Sequence, residues 1–129
     1  MHDSDPLATF SHGLHELNCF NFAYVHLIVS TAEDLRHGAV PVPLVALRQA
    51  FNGPLIVANG FTYGTATQSL AADLAGAVAF GRLFIANPDL PERFRLNAPL
   101  NQPDESSFYG GAEKGYTDYP VMVPQLVGS

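Results

Sequence analysis

The sequence predicts an α/β fold whose strands run parallel, and three observations carry that prediction. Three short apolar runs recur at residues 23–29, Leu55–Ala58 and 77–80. Their repeat of about 20–30 residues approaches the ~30 of a βαβ unit. Each run is nearly unbroken in apolar, β-favouring side chains, the pattern of strands buried on two faces of a parallel sheet. The stretches between them are helix-length, so consecutive strands are joined by right-handed crossovers.

Taken in order, Asp5-Pro6 opens a first helix: Ser4 or Asp5 caps it and Pro6 suits its first turn. Leu7, Phe10, Leu14 and Leu17 then recur at helical spacing, and residues 18–21 end the helix. Residues 23–29 form the first strand, and residues 30–42 a polar loop punctuated by proline. Residues 43–51 fit a short helix with Leu44, Leu47 and Phe51 on one side, and Asn52-Gly53-Pro54 is a turn signal. Leu55–Ala58 is the second strand, stopped by Asn59-Gly60. Thr65 with Gln68 resembles a capping box for a helix running through Leu74. Residues 77–80 form the third strand, followed at once by Gly81-Arg82. A short helix at 83–86 is broken by Asn87-Pro88, and 88–96 suits another. From Asn97 onward the chain is rich in Gly, Pro, Asn and Tyr and reads as a mostly irregular tail.

Composition narrows the function classes. The 129 residues suit one domain, long enough to bury roughly two-thirds of the unfolded surface. Charged residues make up 14%, against an ordinary ~25%, so much of the surface is buried or meant to be covered. The net charge is −6 with only 6 Lys+Arg, which argues against a nucleic-acid partner. Any phosphate site must then make its own local field from backbone N–H groups and a well-placed arginine. The single cysteine, Cys19, excludes an intrachain disulfide and fits a reducing compartment. Residues 1–10 do not resemble a signal peptide. No run reaches the ~18 apolar residues of a membrane span. A cytoplasmic protein without membrane association is the expectation.

The most informative stretch for chemistry is 77–82. A strand ends in Gly81-Arg82 and a short helix begins. Glycine lets the backbone approach a ligand closely, the helix start offers N–H groups, and Arg82 adds a planar cationic fork suited to phosphate. The preceding strand ends in Asn59-Gly60, so two adjacent strand ends can address one phosphate. In (β/α)8 barrels a phosphate site commonly lies in the loops after the seventh and eighth strands, beside a short extra helix. The competing reading is a tight turn with Arg82 in a surface salt bridge. Other polar residues suggest structural roles. His12, His15 and Glu16 form a solvated helix face with no metal cluster. His26 is expected as a core histidine, Cys19 as a small buried hydrophobe, and His2 and His37 as loop residues. Asp89, Glu92 and Arg93 are expected on an exposed helix face, with Tyr116, Asp118 and Tyr119 anchoring the tail.

Five blocks in order, the last in two parts, carry a resemblance. Residues 1–10 (MHDSDPLATF), 24–26 (YVH), 55–61 (LIVANGF) and 78–90 (VAFGRLFIANPDL), together with 108–111 (FYGG) and 115–120 (GYTDYP), resemble the C-terminal part of the Old Yellow Enzyme family of NADH:flavin oxidoreductases (ene-reductases). The resemblance implies a partial TIM (β/α)8 barrel: about the last three βα units with parallel strands, plus the irregular C-terminal tail. On that reading residues 1–129 are a single segment, with the phosphate-binding end at about 55–96 and the tail at 97–129. It implies that Asn59, Gly60, Phe61, Gly81 and Arg82 hold FMN and that Tyr109 lies beside the substrate. It implies an oxidoreductase moving hydride from NAD(P)H through FMN to activated alkenes such as α,β-unsaturated carbonyls, with FMN performing the difficult step.

The chain also departs from the family. It has no counterpart of the first barrel strands, which carry residues contacting the flavin ring, the His/Asn pair and the Tyr proton donor, nor of a basic fifth-strand residue that contacts the flavin, so no residue here is assigned a catalytic role. Asn59 stands where glycine is more usual, and asparagine tolerates φ > 0 better than most residues. Lys114 interrupts a usual AEGY. The alternative is therefore a catalytically inactive, truncated FMN- or phosphate-binding module or remnant. Its partners would be a complementary N-terminal half or a homo-oligomer, beside a small-molecule substrate.

Overall fold

The computed structural model describes residues 3–30, 41–110 and 112–122. The chain divides into two compact units, Met1–Ala79 and Phe80–Ser129.

The first unit is an alternation of helices and strands: α1 (Pro6–Leu17), β1 (Val25–Ile28), α2 (Leu44–Ala50), β2 (Leu55–Ala58), α3 (Tyr63–Ala71) and β3 (Ala77–Ala79). The strands form one parallel sheet in the order β1-β2-β3. Asp5 caps α1 by accepting from the Ala8 N–H at 3.0 Å, with Pro6 in the first turn. Asn18, just past α1, ties that helix to the start of β2. Its Nδ2 donates to the Ala50 carbonyl and its Oδ1 accepts from the Asn52 N–H, each at 2.8 Å. Leu14, Leu47, Phe51 and Leu55 form the core, with Leu17, Val25 and Leu27 against it. Complete burial of Leu55 and Val57 stabilises the fold by about 1.5–3 kcal/mol each.

Side chains alternate across a strand, and the alternation corrects one expectation. The first strand is not buried on two faces: its pattern alternates between half-buried and exposed. Val25 and Leu27 turn toward the helices, while His26 is exposed and Ile28 is 80% exposed on the opposite face. A second layer is lacking there among the described residues, so the apolar run has nothing to bury against. His26 is accordingly not a core histidine. Cys19 is exposed too, its Sγ–H donating to the Glu16 carbonyl at 2.9 Å, rather than a buried hydrophobe. Leu7 and Phe10 are likewise exposed, and within α1 only Leu14 is fully buried. The α3 helix begins at Tyr63 rather than at Thr65 and stops at Ala71, short of Leu74. Its capping box is Thr62 with Thr65: the Thr62 hydroxyl accepts from the Thr65 N–H, and the Thr65 hydroxyl accepts from the Thr62 N–H. A threonine performs the N3 role more often taken by Glu or Gln, so the box falls three residues earlier than expected. The loop expected at 30–42, with His37, lies for the most part outside the described residues, as does His2.

The second unit contains α4 (Arg82–Ala86), α5 (Leu90–Leu96) and one 3-10 turn (Glu105–Ser107). Hydrogen bonds to irregular backbone hold it together. Asn87, fully buried, donates to the Leu83 and Asn101 carbonyls and accepts from the Asn101 N–H at 2.7 Å. Asn101 in turn donates to the Ala86 and Pro120 carbonyls. Arg93 is 6% exposed. It donates to Asp89 at 2.7 Å, to the Pro99 carbonyl at 2.6 Å and to the Pro120 carbonyl at 2.9 Å. Asp89 also accepts from the Met122 N–H. Asp89 and Arg93 therefore do not form an exposed helix face; of the three residues expected there, only Glu92 is exposed. The reason is that α5 ends under its own returning tail, whose carbonyls need a donor. The tail is pinned again at Gly115, which has φ +71°; a Cβ there would lie 2.0 Å from the Ser107 Oγ. Asp118 accepts from the Gly115 N–H, and the Tyr119 hydroxyl accepts from the Asp104 N–H, each at 2.7 Å. These two are the anchors expected of the tail; the Tyr116 side chain is half exposed.

Candidate cofactor site

The second strand ends in an unusual pair of backbone conformations. Asn59 has φ 83° and Gly60 has φ 72°, two successive residues in the left-handed region that L side chains rarely adopt. Asn59 thus adopts the φ > 0 that asparagine tolerates better than most residues. The Asn59 side chain donates to the Val29 carbonyl at 2.9 Å, which fastens the turn to the end of β1 and offsets part of the conformational cost. Phe61 follows, half-buried, and Thr62 then caps α3. The Gly60 and Phe61 N–H groups have no hydrogen-bond partner among the described residues.

Ala58, the last residue of β2, is paired with Ala79, the last of β3. Two residues further along the chain, Gly81 caps α4 with φ −90° and ψ −82°. A Cβ on Gly81 would meet nothing within 4 Å, so no described atom crowds the backbone there. The α4 helix has five residues, and its field is weak beside a full guanidinium charge. Arg82 carries that charge. Its Nη1 donates to the Glu105 Oε1 at 3.0 Å, with the two side chains 62% and 61% exposed. The surface ion pair weighed from the sequence is thus present, with Glu105 as the partner.

Tyr109 stands 99% exposed, its ring edge-on to that of Phe108 with centroids 6.5 Å apart. Gly111, next to it in the FYGG block, lies outside the described residues, and Ala112 beyond it has φ 51°. Asn59, Gly60 and Phe61 belong to the first unit, and Gly81, Arg82 and Tyr109 to the second. Sequence reasoning missed Glu105, which sits in a polar segment and carries no spacing signal. It also missed the pinning role of Arg93, although Asp89 and Arg93 stand at the i,i+4 spacing of helix-face pairs. His12 and His15 are exposed, and no group of His, Cys, Asp or Glu able to hold a metal is present among the described residues. No helix among those residues is long and apolar enough to cross a membrane.

No protein-family profile matches the chain. Individual proteins do. It is 41% identical over 128 residues to 12-oxophytodienoate reductase 1 of Oryza sativa subsp. japonica, a match covering 93% of this chain and 32% of that protein. It is 39% identical over 122 residues to 12-oxophytodienoate reductase 2 of Arabidopsis thaliana, covering 93% of this chain and 33% of the relative. Among solved structures, morphinone reductase superposes with a TM-score of 0.82 at 44% identity, over 98% of this chain and 34% of that one. The old yellow enzyme from Trypanosoma cruzi superposes with a TM-score of 0.85 at 30% identity, over 94% of this chain and 31% of that one. Over nearly its whole length the chain is similar to proteins of the Old Yellow Enzyme family. It matches the C-terminal part of these Old Yellow Enzyme proteins and spans about a third of the length of the curated relatives. Its three parallel strands and their helices are part of the (β/α)8 barrel of that family.

Proposed function

We propose that this chain holds the phosphate end of FMN in an Old Yellow Enzyme-type oxidoreductase. The observation that carries the reading is the left-handed turn after β2, which leaves the Gly60 and Phe61 N–H groups without a partner among the described residues. In the second unit, Gly81 leaves its backbone uncrowded and Arg82 supplies a guanidinium. These are hydrogen-bond donors with one full positive charge, a chemistry that fits a phosphate monoester. Asn59 contributes through its side chain, whose bond to the Val29 carbonyl fastens the left-handed turn that carries Gly60 and Phe61. Arg82 contributes the charge, and Gly81 the open approach. Tyr109 is assigned to the substrate side. No residue of this chain is assigned a proton-transfer role. When bound, FMN supplies the relay of hydride from NAD(P)H to an activated alkene such as an α,β-unsaturated carbonyl. A solved relative in complex with tetrahydroNAD, 46% identical over 95% of this chain, supports the nicotinamide end of that reaction.

A second reading rests on the exposed face of β1. Ile28 at 80% exposure favours a binding segment that needs a complementary N-terminal half, and works as the phosphate end of a site completed by it. A homo-oligomer is the other arrangement that would cover this face.

The test is an FMN titration of the full chain with Arg82→Ala in parallel, and riboflavin, which lacks the phosphate, as the control. Loss of a charged hydrogen bond costs about 1.5–3 kcal/mol, and the exposure of Arg82 places the expectation at the lower end, roughly ten-fold weaker FMN binding. Riboflavin binding stays unchanged. Equal FMN affinity in the two proteins would remove Arg82 from the phosphate site.

A further inference from the structure

We propose that Glu105 is an affinity-setting residue for the anion site: it occupies the Arg82 guanidinium, and a phosphate must displace it to bind. The inference rests on the assignment of Arg82 to phosphate made above. The Glu105 carboxylate bonds to the Arg82 Nη1 at 3.0 Å, the atom set that an incoming phosphate would take. The carboxylate is presented there by a pinned turn. Asp104 caps the turn by accepting from the Ser106 N–H and hydroxyl, at 3.1 Å and 2.6 Å. The Asp104 N–H donates to the Tyr119 hydroxyl at 2.7 Å. The Ser107 hydroxyl bonds to the Asp104 carbonyl at 2.7 Å and to the Gly115 carbonyl at 3.1 Å. Glu105 is therefore held near Arg82 by its neighbours' bonds, and its own carboxylate is exposed and free to exchange.

Magnitudes decide which anion wins. An exposed carboxylate–guanidinium pair is weak, whereas a phosphate carries nearly two charges and pairs with both arms of the fork. Binding exchanges one ion pair for a stronger one, and the observed affinity is the difference. Without the competing carboxylate, the full strength of the Arg82–phosphate contact appears in binding. Glu105→Gln keeps the shape and removes the charge, and it should tighten FMN binding about two- to five-fold.

The experiment is a titration of four full-length proteins (the unsubstituted chain, Glu105→Gln, Arg82→Ala and the double variant) with FMN and with riboflavin. The expected result is tighter FMN binding by Glu105→Gln, unchanged riboflavin binding, and no effect of Glu105→Gln once Arg82 is alanine. Unchanged or weaker FMN binding by Glu105→Gln, while Arg82→Ala still weakens it, overturns the competition and leaves the phosphate assignment standing. Equal tightening of FMN and riboflavin overturns it as well, because the effect would not act through the phosphate. If Arg82→Ala leaves FMN binding unaltered, the phosphate assignment falls and the role of Glu105 falls with it.

Discussion

Arg93 and Arg95 stand two positions apart on α5, and each faces a carboxylate, yet their surroundings differ. Arg93 is buried, and its three donor groups reach Asp89 and the carbonyls of Pro99 and Pro120. Arg95 pairs with Glu92 in solvent, with side chains 66% and 49% exposed. Removing one partner of a buried charged network leaves the others unsatisfied, at about 3–5 kcal/mol. Arg93→Met should therefore destabilise the second unit by that amount in a denaturant titration, whereas Arg95→Ala should leave the midpoint nearly where it was. A similar loss from the two substitutions would contradict this assignment. Acid offers a separate test of the same network. The Met122 N–H, and after it Arg93, hold the Asp89 carboxyl below its ordinary value of 3.8. A carboxyl whose folded value is depressed stabilises the fold above the unfolded value, and that contribution is lost as pH falls toward the folded one. Stability should thus be level in this respect above about pH 5 and fall below about pH 4. Asp89→Asn should flatten that acid limb, and an unchanged limb would assign it to other carboxylates.

At the scale of the element, the start of α3 is the clearest case of local chemistry setting a boundary. Thr62 and Thr65 satisfy each other's backbone N–H groups, which would otherwise be orphaned at the helix start. Thr62→Ala should cost about 1 kcal/mol of stability, measured by thermal melting, while Thr67→Ala, one turn inside, should cost less. The three strands were legible because short, nearly unbroken apolar runs, the second and third flanked by Pro or Gly, fit the length of a strand better than that of a helix. The Gly81-Arg82 end of the third run was legible for a different reason: a strand stopping at glycine followed by a cationic fork is a chemical pattern as well as a periodic one. What escaped was everything decided by distant backbone. Arg93 reads as a surface charge because its acceptors are carbonyls far along the chain, and carbonyls leave no mark in a sequence. Cys19 and His26 read as buried because apolar neighbours ordinarily imply a second layer. Among the described residues that layer is absent.

At the scale of the whole molecule, that uncovered face sets the expected solution behaviour. His26 and Ile28 on β1 are exposed, as is Ala77 on β3, on a sheet whose two outer strands have edges unpaired among the described residues. Exposed apolar surface and open strand edges favour association. Adding the N-terminal portion of an Old Yellow Enzyme-family relative to the chain should raise its melting temperature and lower its binding of a hydrophobic dye. Ile28→Asp should weaken that complementation. A complement that stabilises the chain regardless of residue 28 would place the contact elsewhere.

The order of the strands carries one more consequence. Each strand of this sheet lies beside the one made just before it. Neighbours in space are neighbours in time of synthesis, so the sheet can grow by addition at one edge as the chain leaves the ribosome, at ~5–20 residues per second. Each new strand need only reach back across one helix-bearing connection to its predecessor, a shorter closure than pairing with a more distant strand would need. The segment is thus laid down as a growing edge, and β3, which leads into Gly81 and Arg82, is the last strand of the sheet to join.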